Sequence, residues 1–450
     1  MKAIEIALIA GTIVAVGAFG GTEPVSFAVV EILFFAVAAW AVIRPKRIPV
    51  SVQLRQFAVP AALTAVVLLQ LIPFPASLVP GWLRGQSYSG SRFVTLSVAP
   101  YSSRSDFLIL LACLIALFFA YAVGQDRDRK RRLILALMAL GTAEAFYGLI
   151  QYLMNWQRIF WYAKKYDLEE ATGTYINRNH FAGFLEMILP FAIAFALYEG
   201  EKLAAARGQH AGETRRWAAR PNAAKVVLWL AVAMVVMAAI VFSRSRMGMV
   251  AACASLAVVF GLKATEKRRA AAVLGAAFVV LSICFAAWIG VRPALDRFAN
   301  MRGEFSGDES RLSMWPGTLR LIGEHPIIGT GLGTFPVVYT TVQTTFLTQF
   351  VNHAHNDYLE ISSDIGIPAA TLLFGSIFFV LARAVRNFLH GEGKYGRAVS
   401  LACAGSIVAM LLHSATDFNL HIPANALLFA LILGLAMAST QKAASVELAS

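Results

Sequence analysis

The chain has 450 residues, of which 58% are hydrophobic and only 14% charged, and its mean hydropathy is +0.64. A soluble domain carries about a quarter of its residues as charges, so this balance excludes an ordinary soluble protein and predicts an all-α polytopic membrane protein. The 39 Lys and Arg outnumber the 26 Asp and Glu, but most of them sit in short connectors between apolar stretches, so the excess reports membrane topology and no nucleic-acid partner.

A membrane helix needs about 20 mostly apolar residues. Windows of that kind predict about twelve spans, near 3–22, 25–43, 57–76, 106–124, 133–154, 181–199, 226–242, 247–262, 270–290, 358–382, 398–414 and 423–440. The first is long for a signal-peptide core and has no small-residue cleavage site after it, so it reads as an anchored helix. The expected organisation is a group of N-terminal spans over 1–130, a membrane domain over 131–440 that includes a long extracytoplasmic loop at 291–357, and a cytoplasmic tail at 441–450.

Sorting the connectors alternately assigns the topology. One set, with both termini, holds 25 of the 39 basic residues, among them Arg44-Pro-Lys-Arg47, Arg127 to Arg132 and Lys263 to Arg269. The positive-inside rule places that set in the cytoplasm and the longer segments, roughly 77–105, 155–180 and 291–357, outside. The last is too long for a plain connector and contains a helix-compatible run from Ser310 to Glu324 and the glycine-rich Gly329-Thr-Gly-Leu-Gly-Thr334. That glycine run lacks the Lys-Ser/Thr ending of a phosphate loop and is not a nucleotide site. The four cysteines lie in apolar runs without CxxC spacing and imply no disulfide framework.

Three polar groups stand at outer membrane boundaries. Asn352-His-Ala-His-Asn-Asp357 places two histidines, two amides and a carboxylate before the tenth span, the composition of a general base with an orienting partner. On a helix, His353 and Asp357 would share a face. The same His-x-His-x-Asp pattern also suits zinc, although other outer segments offer few ligands beyond His180 and the 413–421 stretch. A polar helix cap is the plainer reading. The second group is arginine: Arg178 in Asn177-Arg-Asn-His180, Arg244 and Arg246 in Ser243-Arg-Ser-Arg-Met-Gly248, and Arg311 and Arg320 in the long loop. Guanidinium groups at a membrane boundary suit phosphate, through paired hydrogen bonds, or else snorkel to head groups and pair with acids. The third, His413-Ser-Ala-Thr-Asp417-Phe-Asn-Leu-His421, joins the last two spans, and its Asp417 could neutralise an arginine, orient a histidine or cap a helix.

Taken together, these pieces resemble the O-antigen ligase family of bacterial membrane glycosyltransferases, which includes O-antigen polymerases and protein O-oligosaccharyltransferases. The resemblance covers roughly 130–430 and rests on Asn177-Arg-Asn-His-Phe-Ala-Gly183, Ser243 to Gly248, Arg311 to Trp315, His325-Pro-Ile-Ile-Gly329 with the turn-rich run after it, and His353-Ala-His-Asn-Asp-Tyr-Leu-Glu360. The ligase pattern of His, a small polar residue, nine positions and Gly is met by His355, Asn356 and Gly366. Its last element, usually Gly, Thr or Tyr, is here Ala369.

The resemblance implies a donor glycan on undecaprenyl diphosphate, and an acceptor that is lipid A core for a ligase or another glycan for a polymerase. It implies His355 as catalytic base and Arg246 and Arg311 as diphosphate ligands, with Arg244 and Arg178 as further candidates and Asn356, His353, Asp357 and Asp417 completing the substrate site. Arginines can take the charge-neutralising part that a divalent ion has in nucleotide-sugar enzymes, so no metal and no cofactor is expected. The expected location is a bacterial inner membrane, with the site facing the periplasm. The alternatives are a polymerase of the same family and, from another class, a twelve-span secondary transporter, against which no related halves are apparent.

Overall fold

The computed structural model describes residues 1–44, 54–80, 92–209, 212–289, 311–343, 350–391 and 393–438. It is a bundle of helices: α1 (Lys2–Gly17), α2 (Pro24–Ile43), α3 (Ala58–Leu71), α4 (Pro100–Gly124), α5 (Arg127–Leu153), α6 (Arg178–Gln209), α7 (Gly212–Phe242), α8 (Arg246–Ile289), α9 (Arg311–Glu324), α10 (Phe335–Val338), α11 (Asp357–His390), α12 (Lys394–His413) and α13 (Pro423–Ala438). Two short hairpins sit in the connectors, one pairing β1 (Phe74–Pro75) with β2 (Phe93–Val94), the other β3 (Arg158–Ile159) with β4 (Tyr162–Ala163).

Among the described residues, eight helices are long and apolar enough to cross a membrane: α2, α4, α5, α6, α7, the first part of α8, α11 and α12. The shorter α3 and α13 are apolar as well. Helices α1, α3 and α13 lie where three further spans were expected but have 16, 14 and 16 residues, so eight of the expected twelve spans correspond to helices long and apolar enough to cross, among the described residues. The eighth and ninth spans were expected to be separated near 263–269, but they fall on the single 44-residue helix α8. The stretch Lys263-Ala-Thr-Glu-Lys-Arg-Arg269 contains neither Gly nor Pro, so nothing in it breaks a helix. Lys263 is held there by Glu201 of α6 and by Glu266 one turn on. The expected helical run before Glu324 is α9. The expected tail at 441–450 lies outside the described residues.

α6 is the central post, and every residue of its most apolar window is buried. α12 crosses it closely because Gly405 lies against Pro190, and the Ser406 hydroxyl donates to the Met187 carbonyl at 2.6 Å. The glycine-rich run has a structural task. Thr330 and Gly331 donate backbone N–H groups to the carbonyls of Ser363 and Asp364 at 2.9 Å each, and Gly333 donates to the Asp364 carboxylate at 2.7 Å. α11 kinks there at Gly366, whose φ of 80° is open chiefly to glycine. A Cβ at 366 would meet the Ile327 carbonyl.

Candidate functional site

One end of the bundle collects the starts of α2, α6, α8, α11 and α13 and the ends of α1, α7 and α12. Local caps explain why the helices begin there. The Asn177 side chain accepts from the Asn179 N–H at 2.8 Å, and Asp167 accepts from the Arg178 N–H at 3.0 Å, which starts α6. In Ser243-Arg-Ser-Arg-Met-Gly248 the two serines are caps: Ser243 accepts from the Ser245 N–H, and Ser245 from the Gly248 N–H. Gly248 then lets α8 lie against Ala182 of α6. Asn356 caps α11 by accepting from the Leu359 N–H at 3.1 Å.

The Asn352–Asn356 segment is not helical, so His353 and Asp357 do not share a face. Each takes another partner. His355 sits in the left-handed region at φ 49°, with its ring Nδ1 3.3 Å from Asp417 Oδ1. Asp417 has no exposed surface, whereas a quarter of the His355 side chain is exposed. Among the described residues the Asp417 contact is the hydrogen bond that the His355 ring makes. Non-glycine residues in this conformation cost of order 1–3 kcal/mol and gather at functional sites. Arg244 is another, at φ 53°.

Behind the loop, His353 Nδ1 meets Glu360 Oε1 at 2.7 Å, and Glu360 Oε2 accepts from the Ala354 N–H at 2.7 Å. His421 Nδ1 lies 2.8 Å from Asp357 Oδ1, and its Nε2 lies 3.5 Å from Glu360 Oε1. Burial opposes charge on His421, but Glu360 and Asp357 outweigh it and raise its pKa to about 10. An imidazolium held between two carboxylates results. Phe418 organises the histidines, stacking on His353 at 3.9 Å between ring centres and meeting His180 and His355 edge-on at 4.6 and 4.9 Å.

Among the described residues, the ligand atoms of His353, Glu360 and His421 all lie within 4.8 Å of one another, close enough to accept a cation. The contacts of 2.7 and 2.8 Å are hydrogen-bond lengths that satisfy these side chains as they stand. The set is a different one from the His-x-His-x-Asp of the sequence. It closes the polar end of a cavity of about 840 Å³ whose walls, from α2, α3, α4, α11 and α13, are apolar, with Phe27, Leu63, Leu117, Ile365 and Phe429 among them. Asp106 of α4 lines the same polar end.

The arginines divide. Arg178 pairs with Glu170 at 2.6 Å and Asp167 at 3.3 Å. Arg244 pairs with the exposed Glu169 at 3.1 Å and more loosely with Glu170 at 3.7 Å. Arg246 is the first residue of α8, on the same end of the bundle. Arg311 opens α9, and its side chain lies outside the described residues. Arg320 pairs with Glu324 one turn away, on the surface of α9.

Of the expected site residues, His353, His355, Asp357 and Asp417 converge around Phe418 and His421. Asp357 and Asp417 are fully buried and bond to protein groups, and Asn356 caps a helix. Nothing in the sequence gives a role to Glu360 or Phe418, and His421 stands there only as the end of the third polar group and within a stretch of possible metal ligands. Glu360 stands at the end of the His353–Glu360 motif, and nothing in the local spacing of 360 and 421 shows that they meet.

Residues 226–374 match the O-antigen ligase family. The match runs from α7 to the middle of α11, taking in Arg244, Arg246, Arg311, His353, His355 and Gly366. It begins after Arg178 and ends before Asp417 and His421. A comparison with curated proteins finds no match.

Proposed function

We propose that this chain, whose 226–374 region belongs to the O-antigen ligase family, is a membrane glycosyltransferase that moves a glycan from undecaprenyl diphosphate to an acceptor hydroxyl. The observation that carries the reading is the His355–Asp417 pair: a partly exposed imidazole whose Nδ1 faces a buried carboxylate, so that Nε2 is assigned as the base. Asp417 fixes the tautomer and stabilises the imidazolium that forms when the acceptor proton arrives. The deprotonated oxygen attacks the anomeric carbon, and the diphosphate leaves from the opposite face with inversion.

The leaving group needs cations. Arg246 and Arg311 are assigned to it, through paired guanidinium–phosphate hydrogen bonds. The starts of α6 and α8 add backbone N–H groups and helix dipoles that favour an anion. Arg178 and Arg244 are the next candidates, and Arg244 would exchange the exposed Glu169 for phosphate. The apolar cavity suits a lipid chain, and its polar end at His353 and His421 suits sugar hydroxyls. Arginine and imidazolium charge supplies neutralisation without a divalent ion. The basic residues at the opposite end of the bundle, such as Arg127 to Arg132 and Arg383 to Arg397, favour a cytoplasmic end there and a periplasmic site in the inner membrane.

The acceptor separates two forms of this function, lipid A core for a ligase and another glycan for a polymerase. The test is deletion in the native host with complementation by wild type or His355→Ala, following lipid-linked glycan and surface polysaccharide by gel and mass spectrometry. Long lipid-linked chains accumulating without polymer on lipopolysaccharide mark a ligase; single repeat units mark a polymerase. No change in either pool overturns the assignment and returns attention to transport.

A further inference from the structure

Beneath His355 a line of ionisable side chains runs into the apolar interior. Asp417 Oδ1 lies 3.3 Å from His355 Nδ1, and its Oδ2 lies 3.9 Å from His413 Nε2, an ion-pair distance and not a hydrogen bond. His413 Nδ1 in turn lies 2.9 Å from Glu186 Oε2. Neither His413, Asp417 nor Glu186 has any exposed side-chain surface. Glu186 belongs to the fully surrounded part of α6, where an apolar residue would pack without the desolvation that a carboxylate suffers. Buried ion pairs are commonly neutral or worse for stability than apolar residues of similar volume, so fold stability alone is a poor reason for this pair.

The geometry points to Glu186 and His413 as positioning residues that act on the His355 base through Asp417. This inference rests on the reading of His355 given above. The two oxygens of Asp417 face two imidazoles, one open to substrate and one backed by Glu186. When His355 takes the acceptor proton, the new positive charge is met by Asp417, and the state of Asp417 is set from behind by His413 and Glu186. The loop cannot drift from this line, because the Asp357 N–H donates to the Ser414 carbonyl at 2.8 Å and to the Asp417 carbonyl at 3.2 Å. The other titratable groups facing the line are His180 from α6 and His353 from the 352–356 segment, both against Phe418, and Asp357 from α11, whose carboxylate is turned to His421.

The test is the pH profile of transfer by purified protein with a lipid-linked glycan donor. In its ionised form Glu186 favours protonated His355, so Glu186→Gln moves the acid limb to lower pH and lowers the plateau kcat. KM for the donor stays within about twofold, because substrate does not touch Glu186. Glu186→Asp keeps the charge and restores the limb. A reduced kcat with an unmoved acid limb, or a profile superimposing on wild type, overturns the relay. Should the Gln variant fail to fold, histidine labelling for NMR of the wild type decides. One imidazole that is insensitive to His353→Gln then titrates with His355 and stops doing so in His355→Gln; no such partner means no relay. Loss of transfer in His355→Ala tests the function itself, so the two failures are distinguishable.

Discussion

His355 reaches Asp417 across 62 positions of sequence, Nδ1 to Oδ1 at 3.3 Å, and only the histidine of the pair is exposed. The carboxylate accepts from the imidazole and thereby selects the tautomer with a free Nε2. Asp417→Asn presents an amide in its place, which can donate to Nδ1 and favour the wrong tautomer. Transfer falls by about 10²- to 10⁴-fold in that variant while membrane insertion is unchanged. Activity per milligram of folded protein measures it; an Asn variant near wild type removes Asp417 from the site.

Arg246→Ala and Arg311→Ala each abolish transfer, and Lys at either position restores little, since an ammonium cannot form the paired hydrogen bonds of a guanidinium. Steady-state kinetics with the lipid-linked donor check this. Full activity in both Lys variants means that charge alone matters there.

His421 gives a pH window for stability. Its pKa is raised from 6.5 to about 10 by Glu360 and Asp357 against the opposing effect of burial. A group whose folded pKa is raised contributes fully below its unfolded value and loses that contribution as pH climbs to the folded one. The His421 contribution is therefore complete below about pH 6.5 and is lost between 6.5 and 10. Melting temperature in detergent falls across that window in wild type and less steeply in His421→Gln. His421→Gln itself loses a few kcal/mol, of the order expected when one partner of a buried pair is removed. Parallel slopes for the two proteins contradict the assignment.

Much of the fold was legible because membrane helices are written in local composition: the windows found α2, α4, α5, α6, α7, α11 and α12 close to where they lie. The continuity of α8 was not, since a cluster of Lys and Arg suggests a loop while the same residues are good helix formers. The site divided in the same way. His355 and Asp417 each stood out as polar residues beside apolar runs, but their pairing depends on α12 packing against α6 and on α11 starting at Asp357. Glu360 and His421 look like ordinary polar residues of a helix and a turn until the fold brings them together, and Glu186 looks like a stray charge within a span.

Gly366 is held at φ 80° with the Ile327 carbonyl where a side chain would begin. Gly366→Ala destabilises the protein by roughly 1–3 kcal/mol from backbone strain alone, with the close approach adding to it. Thermal melting and expression level measure the loss; an unchanged melting temperature shows that the kink at α11 relaxes.

Chelation separates arginine and imidazolium charge from metal chemistry. With His353 and His421 engaged by carboxylates at 2.7 and 2.8 Å, turnover of the purified protein persists in EDTA. Loss of turnover restored by a divalent ion places a cation among His353, Glu360 and His421.

The most direct measurement is transfer by purified protein in defined lipid, with an undecaprenyl-diphosphate-linked glycan and an acceptor, wild type against His355→Ala at equal folded amounts. The account predicts a glycosylated acceptor and released undecaprenyl diphosphate from wild type and neither from the variant. Product formed equally by both would contradict it.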